Sequence, residues 1–414
     1  MRPASLCSIL LLAAPPQLLA QGVAEVPDAV DLPAVLRLAR EASPRLELER
    51  QAIAQAEADR VTAGALPNPT LSYGRLRPGS GERTVFEGSR QQEATVELPL
   101  LIAGQRAARI ERAEREIEAA RARVAAGTST LAAEAGAAFV ALLAAQEKAV
   151  LVAAAASEVL RLRDIVAGRE SGGVASRYDL ARMEVEAGSL RARLEDSRAE
   201  VADRSGSLAG LLGLPRWRPK ALGELAPMQA PAAATPPEER ALRSPAVVAA
   251  AREQASAESA IEVAKRERWP VPAVSVGRTW TSEPFGAANF VGLSVELPVL
   301  DRKLGPLERA QADARAAALR RGLVAAETAS SLRRLEEVIQ ARQAALERFR
   351  RDAAARLPAL KQMAEDAYRL GRGTLLELLD ATRSRYELEQ LRVELTAALL
   401  EAQIRLSALV GELR

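Results

Sequence analysis

Two short motifs carry the polar residues whose spacing is most specific: Gly173-x-x-Ser176-x-x-Asp179 and Gly371-x-x-Thr374-x-x-Glu377. In each, the glycine can end a helix in the left-handed conformation and the hydroxyl can cap the next helix. The acid three residues later can complete a reciprocal capping box. Asp380 follows Glu377 by three residues, which puts both carboxylates on adjacent turns of one helix face. By themselves such carboxylates can equally be ordinary surface acids, and the turns simply sharp helical hairpins. Covalent chemistry has little to draw on. There is no His, and the one Cys, Cys7, lies close to the N-terminus. Most nucleophile and general-base arrangements, and every His/Cys metal site, are thereby excluded. The expectation is no enzyme, no resident metal and no cofactor.

What must position these motifs is a set of very long helices. Of 414 residues, 48% are hydrophobic but only 3% aromatic, and the apolar content is largely Ala and Leu interleaved with Arg and Glu. That is the composition of long helices packed side by side. The net charge of +3 arises from alternating signs, as in Arg109, Glu111, Arg112, Glu114 and Arg115. It describes solvated helix faces and gives no footprint for nucleic acid. No proline interrupts the pattern from about 103 to 169, which would extend on the order of 100 Å at ~1.5 Å per residue. A counterpart at about 305–370 contains Pro358, where a kink or a local break is expected. In the two returning helices, Leu180, Met183, Ala187, Leu190 and Leu194, and Leu375, Leu378, Leu379, Thr382 and Tyr386, form one stripe each, read as core packing.

The chain is a tandem repeat. Ser43-Pro44 returns as Ser244-Pro245, and Pro67-Asn68-Pro69 followed by Gly74 returns as Pro270-Val271-Pro272 followed by Gly277. Val96-Glu97-Leu98-Pro99 returns as Val295-Glu296-Leu297-Pro298, and Leu212-Gly213 as Val410-Gly411. The organisation read from this is a signal peptide at 1–20, with Arg2 and the apolar stretch Leu6–Ala14. A first repeat follows at 21–212: a helix, strands at about 69–77 and 91–99, a long helix 103–169 and a helix 176–212. A proline-rich linker occupies 213–237. The second repeat, 238–414, has a helix, strands at about 272–281 and 289–298, a long helix 305–370 and a helix 374–412. Cys7 leaves with the signal peptide and lies too close to Met1 to mark a lipid anchor.

No transmembrane helix is expected after the signal segment. The most apolar stretch, Leu131 to Ala156, carries Glu134, Glu147 and Lys148, leaving uncharged runs shorter than the ~18 residues a span needs. The strands alternate instead. Leu71 and Tyr73 oppose Ser72 and Gly74; Ala94, Val96 and Leu98 oppose Thr95 and Glu97. Val274, Val276 and Trp280 oppose Ser275, Gly277 and Thr279, and Val291, Leu293, Val295 and Leu297 oppose Gly292, Ser294 and Glu296. Tyr73, Phe86, Trp269, Trp280, Phe285 and Phe290 fall in or beside these segments, as the aromatic girdles of a membrane barrel would. Four strands cannot close a barrel, and open edges in lipid leave backbone groups unpaired, so copies must associate. Three copies would supply twelve strands, and two only eight, which is narrow for a channel. Glu97 and Glu296 would then face the barrel lumen, and Arg75 and Arg278 would sit near one interface. The alternative is that all four simply mark strand ends.

At this point the chain resembles a known family. The repeat, Pro67-Asn68-Pro69-Thr70, and Tyr368-x-x-Gly371 leading to Leu378-Leu379-Asp380-Ala381 resemble the TolC family of outer-membrane efflux channels. The run from Phe290 to Arg302 and Ala103-Gly104-Gln105-Arg106 resemble its cobalt-zinc-cadmium resistance (CzcC-like) branch. The resemblance covers nearly the whole chain after the signal segment. It implies a mainly α fold with a small membrane β-barrel part: long antiparallel helical hairpins forming an α-barrel, with four strands per chain, in a homotrimer. It implies a passive duct in the outer membrane of a Gram-negative cell, with its helices in the periplasm. The duct would work with a periplasmic adaptor and an inner-membrane RND-type pump, carrying heavy-metal cations outward. Gly173, Ser176, Gly371 and Thr374 match the adaptor-docking tip, and Asp179, Tyr368, Glu377 and Asp380 the gate or aperture. Gly373 stands where the drug-export channels carry a gate Arg, with Arg372 one place earlier. In a trimer Glu377 and Asp380 would ring one narrow axis and favour cations. With no His, no Cys after the signal segment and four Met, the chain has little soft chemistry to select a transition metal, so selection is expected in the pump. The alternatives are a drug or type I secretion channel of the same family, a periplasmic adaptor, and a soluble coiled-coil protein. Two hairpins and four amphipathic strands oppose the adaptor; clustered aromatics oppose the coiled coil.

Overall fold

Each repeat opens with two helices rather than the one expected. In the first, α1 (Leu32–Glu41) is capped by Asp31, whose carboxylate accepts from the Ala34 N–H at 2.9 Å, and α2 (Pro44–Gly64) restarts at Ser43-Pro44. In the second, α5 (Pro237–Leu242) and α6 (Pro245–Arg266) divide at Ser244-Pro245. Proline at the first helical position loses no hydrogen bond and has a pre-set φ, so the repeated Ser-Pro is a restart signal. The computed structural model describes residues 27–77, 90–228, 235–282 and 286–413. The expected signal peptide with Cys7, together with Phe86, Pro231 and Phe285, lies outside the described residues.

The first rod, α3 (Gln105–Ser171), is one helix of 67 residues, ~100 Å long, and α4 (Arg177–Leu211) returns along it. The second rod is interrupted, as expected, but earlier than Pro358. Helix α7 (Leu304–Asp352) ends at Ala353, a 3-10 turn covers Ala354–Arg356, and α8 (Leu357–Arg369) begins with Pro358 in its first turn. The break precedes the proline because its missing N–H and its ring both act on the carbonyl four residues back, at Ala354. Helix α9 (Leu375–Leu409) closes the repeat.

Helix α3 lies at the centre of the layer, packing against α1, α2, α4, α6 and α9, while α7 packs on α5, α6 and α9. The layer therefore ends in first-repeat helices, α2 and α4, on one side and in α7 on the other. Two repeat anchors touch each other. Gly213, at φ +75° after α4, sits against Pro44, and Gly411, at φ +77° after α9, against Pro245. The recurring Leu-Gly and Ser-Pro pairs thus weld the end of each module to its own beginning.

The main core is equatorial. Leu131, Ala135, Phe139 and Leu142 of α3 meet Leu208 and Leu212 of α4, Val393, Leu400 and Ile404 of α9, and Val35 of α1. This explains a stretch the sequence reading set aside. One window of α3 has the length and apolarity of a membrane span, with a mean hydropathy of 1.7, despite the charges counted against it. Its apolar residues supply the equatorial core, and Glu147 and Lys148 pair with Arg392 and Glu394 of α9. Part of the expected linker is ordered here as well. Strands β1 (Ala29–Val30) and β4 (Lys220–Ala221) pair in parallel, and Trp217 Nε1 donates to the Pro27 carbonyl at 3.1 Å. Gln146 grips Ala221 and Gln403 grips Met228, each through both backbone groups.

Strands β2 (Thr70–Leu76), β3 (Gln91–Pro99), β5 (Pro272–Thr281) and β6 (Ala287–Val295) form one antiparallel sheet in the order β2-β3-β5-β6. The last strand was expected at about 289–298. It ends instead at Val295, whose partner is Pro272, the first residue of β5, so Glu296 and Leu297 have no strand beside them. Strands β2 and β6 are the free edges, and they run antiparallel to each other.

Candidate functional site

The register sorts the sheet into two chemically distinct faces. Thr70, Ser72 and Gly74 line up across the strands with Glu93, Thr95 and Glu97, then Ser275, Gly277 and Thr279, then Gly292 and Ser294. The opposite face carries Leu71, Tyr73, Val96, Leu98, Val274, Val276, Trp280, Val291, Leu293 and Val295. Leu71 and Val291 are 73% and 77% exposed, so this face lies bare in a single chain. Toward its far end polar groups enter this face in two rows, Arg75 beside Gln92 and Arg278 beside Asn289, and the Arg278 guanidinium lies 5.6 Å from the centre of the Trp280 ring. Phe290 departs from the girdle expected of it. It sits on the polar face over Gly277, where an added Cβ would come 2.3 Å from the ring. Glu97 also lies on that face, accepting a hydrogen bond from the Ser294 hydroxyl at 2.8 Å. Glu296 is exposed just beyond β6.

At the other end of the rods the two turns are built alike. Gly173 has φ +74° and donates to the Glu170 carbonyl at 2.9 Å; Gly371 has φ +69° and donates to the Tyr368 carbonyl at 3.2 Å. The next residues reach back one position further, Val174 to the Arg169 carbonyl and Arg372 to that of Ala367. Both capping boxes are complete. The Asp179 N–H donates to Ser176 Oγ at 3.1 Å and the Ser176 N–H to the Asp179 carboxylate at 3.2 Å. The corresponding pair for Thr374 and Glu377 measures 3.3 and 2.9 Å. Asp179 and Glu377 are therefore engaged within their own turns. Asp380 is exposed and has no hydrogen-bond or ion-pair partner among the described residues. At Gly373 a Cβ would lie 3.0 Å from that of Ala367, so a larger side chain there requires a shift of the turn.

The two turns share one end of the molecule because Val152, Val159 and Val166 of α3 and Met183, Ala187 and Leu190 of α4 pack with Leu375, Leu379 and Tyr386 of α9. Both predicted stripes meet in this cluster. Arg169 of α3 lies over the ring of Tyr368 of α8, 4.9 Å from its centre, a cation–π contact between the repeats.

A charged cluster the sequence reading did not single out lies above these turns. Glu158 of α3, 9% exposed, pairs with Lys361 of α8 at 3.0 Å and with Arg385 of α9 at 2.5 Å. It borders a cleft of about 350 Å³ that Arg161, Leu162, Arg169, Tyr368 and Leu378 also line. Below it Glu186 of α4 pairs with Arg383 of α9 at 2.7 Å. Burial pushes the Tyr386 phenol above its ordinary range, although Arg193 and Lys148 pull the other way. Burial disfavours the charge on Arg392, but its bonds to Glu389 and Glu147 outweigh that and raise it. No group of three or more metal-ligating residues occurs among the described residues.

No protein-family model matches the chain. Its sequence is 26% identical to the cobalt-zinc-cadmium resistance protein CzcC of Cupriavidus metallidurans over 290 residues, 68% of this chain and 66% of CzcC. The match thus spans just under two thirds of that relative. The fold is similar to that of CusC, in crystal structures describing transmembrane channel formation, with a TM-score of 0.76 at 17% identity over 92% of both chains. The outer membrane protein VceC of Vibrio cholerae superposes with a TM-score of 0.75 at 17% identity, covering 92% of this chain and 96% of VceC. The outer-membrane channel OprN gives 0.74 at 20% identity, covering 92% of this chain and 89% of its own. At these identities the structural likeness is one of fold.

Proposed function

We propose that this chain, a TolC-like outer-membrane efflux protein with a CzcC-like sequence, is one of three subunits of a passive export duct. Its four strands would form a third of a membrane barrel and its helical layer a third of a periplasmic tunnel. The observation that carries this reading is the sheet with an exposed apolar face, a polar face and two free, mutually antiparallel edges. In lipid those edges must be paired. Strand β6 of one copy can take β2 of the next without changing the up-and-down order. The helical layer ends in the same sense, so both layers close by one head-to-tail rotation.

In this arrangement Glu97 lies on the lumen face, with Glu296 at the barrel's lower rim. The turns at Gly173–Ser176 and Gly371–Thr374 are the tip that meets a periplasmic adaptor. Asp179, Tyr368, Glu377 and Asp380 border the aperture, where Asp380, unpartnered among the described residues, supplies the free charge. The cargo is heavy-metal cations delivered by an inner-membrane RND-type pump. The similarity to CzcC supports that choice, and the lack of soft ligands leaves selection to the pump.

Purified protein in detergent should have the mass of three chains, and in planar bilayers it should conduct with cation preference. Glu377→Gln with Asp380→Asn should lower that preference; an unchanged reversal potential rejects the aperture assignment. Deletion should sensitise cells to zinc, cobalt or cadmium. Sensitisation to organic drugs with metal resistance intact would move the cargo to that class.

A further inference from the structure

The two repeats build the same strand-to-helix junction from different residues. In the first, α2 reaches β2 through Ala65, Leu66 and Pro67, and β3 reaches α3 through Leu100, Leu101, Ile102, Ala103 and Gly104. The equivalent positions of the second repeat are Arg268, Trp269 and Pro270, then Val299, Leu300, Asp301, Arg302 and Lys303. Three cations and an indole replace Ala65, Ala103, Gly104 and Leu66. The turn itself does not require them. Gly104 precedes α3 at φ +76°, and Lys303 precedes α7 at φ +51° in the region a glycine enters without strain.

The added cations have no acidic partner among the described residues. Arg302 and Lys303 are exposed, and neither side chain is bonded there. The Lys303 N–H donates to Asp301 Oδ1 at 2.8 Å. Arg268 Nε donates to the Arg302 carbonyl at 3.2 Å, which holds the two loops side by side. Beside the cations the surface is bare and apolar: Leu297, Val299 and Leu300 are 68%, 72% and 99% exposed, and Trp269 is 62% exposed. Leu297 follows directly on β6, and the Val299 N–H donates to the Leu297 carbonyl at 2.8 Å, so the chain bends here and the patch borders the apolar face of the sheet at its helical end. The acids nearby are Asp301, already tied to the backbone, Glu267, which pairs with Arg109 at 3.3 Å, and Glu296, exposed just beyond β6.

We infer that this second-repeat junction binds an anionic phospholipid of the leaflet on the helical side, with acyl chains against Leu297, Val299 and Leu300 and the phosphate among Arg268, Arg302 and Lys303. Cations at the rim of an apolar band reach the headgroup level, and an indole beside them is amphipathic in the same sense. Each such cation near an anionic surface changes affinity by about fivefold. The inference rests on the reading of the sheet as a membrane barrel.

The test uses the whole protein and a variant, R268A/R302A/K303G, that gives the second junction the residues with which the first one folds. Native mass spectrometry from detergent should show phosphatidylglycerol binding to the variant about 100-fold more weakly, and at least about 25-fold, two cations' worth, with phosphatidylcholine retention unchanged. Adding A65R and A103R to the first junction should strengthen phosphatidylglycerol binding. Equal binding by parent and variant overturns the inference. Loss of the oligomer without a change in lipid binding also overturns it, assigning the cations to a contact between copies. Flotation separates the two levels of the argument. A parent that floats with no vesicle ends the membrane reading itself, whereas one that floats on neutral vesicles without phosphatidylglycerol preference removes only the lipid site.

Discussion

Neutralising Glu158 should loosen α8 ahead of the rest of the second rod. Its carboxylate joins Lys361 of α8 and Arg385 of α9 to α3, and beside the Arg169–Tyr368 stack it is a polar tie across the repeats just below the 3-10 break. A hydrogen bond to a charged group contributes ~1.5–3 kcal/mol when well buried. Here the Lys361 and Arg385 side chains are 26% and 31% exposed, and Lys361 has a second acceptor in Glu365 at 3.4 Å, so solvent offsets part of both bonds. For Glu158→Gln we expect about 2 kcal/mol, a roughly 30-fold rise in the local opening constant. Hydrogen exchange on the purified protein reads this directly. Amides of 357–369 should exchange about 30-fold faster, while those of α9 beyond Val393, in the equatorial core, keep their protection. Glu365→Gln removes a half-buried partner at the longer distance of 3.4 Å and should change exchange less than about twofold. If Glu158→Gln leaves α8 within about threefold of the parent, the buried carboxylate is not what holds it, and the reasoning fails.

Four left-handed glycines at the helix ends form a graded series. Gly173→Ala and Gly371→Ala meet open space and should cost about 1–2 kcal/mol each. Gly213→Ala adds a contact of 2.6 Å with Pro44 and should cost about 2–4 kcal/mol, with Gly411→Ala, at 3.1 Å from Pro245, in between. Equal denaturation midpoints for all four would show that the module welds are slack. Tyr386 carries a pH signature. Because burial raises its folded pKa, its contribution is constant below the ordinary tyrosine range near ~10 and is lost as pH rises through the folded value. Tyr386→Phe should therefore flatten the alkaline limb of a stability–pH curve, and a limb of unchanged slope would assign it to other groups.

What could be read from the sequence was local or periodic. The capping boxes at Ser176 and Thr374 need only four consecutive residues, and the stripe from Met183 to Leu190 only a period. Partner-dependent features were not legible. Strand β6 stops at Val295 because β5 starts at Pro272, and β1 and β4 exist only because the chain ends of the first repeat meet at the equator. Phe290 is instructive. Its parity with Gly292 and Ser294 already placed it on the polar face, but counting it among girdle aromatics overrode the alternation. Glu158 was hidden among many interleaved acids. One signal could have found it: Leu151, Ala155, Glu158, Leu162 and Ile165 fall on one heptad row, with the acid alone among apolar residues.

The unlike edges of the protomer have a consequence for inheritance. Strand β2 and helices α2 and α4 end one side of the chain, while β6 and α7 end the other, so every seam of a closed ring joins a first repeat to a second repeat. In the ring proposed above, a chain damaged only at β2 would still offer a sound β6 to its other neighbour and would enter rings made with intact chains, leaving one seam open for each damaged chain. Such an allele should be dominant when co-expressed with the normal one, whereas loss of the whole gene should be recessive.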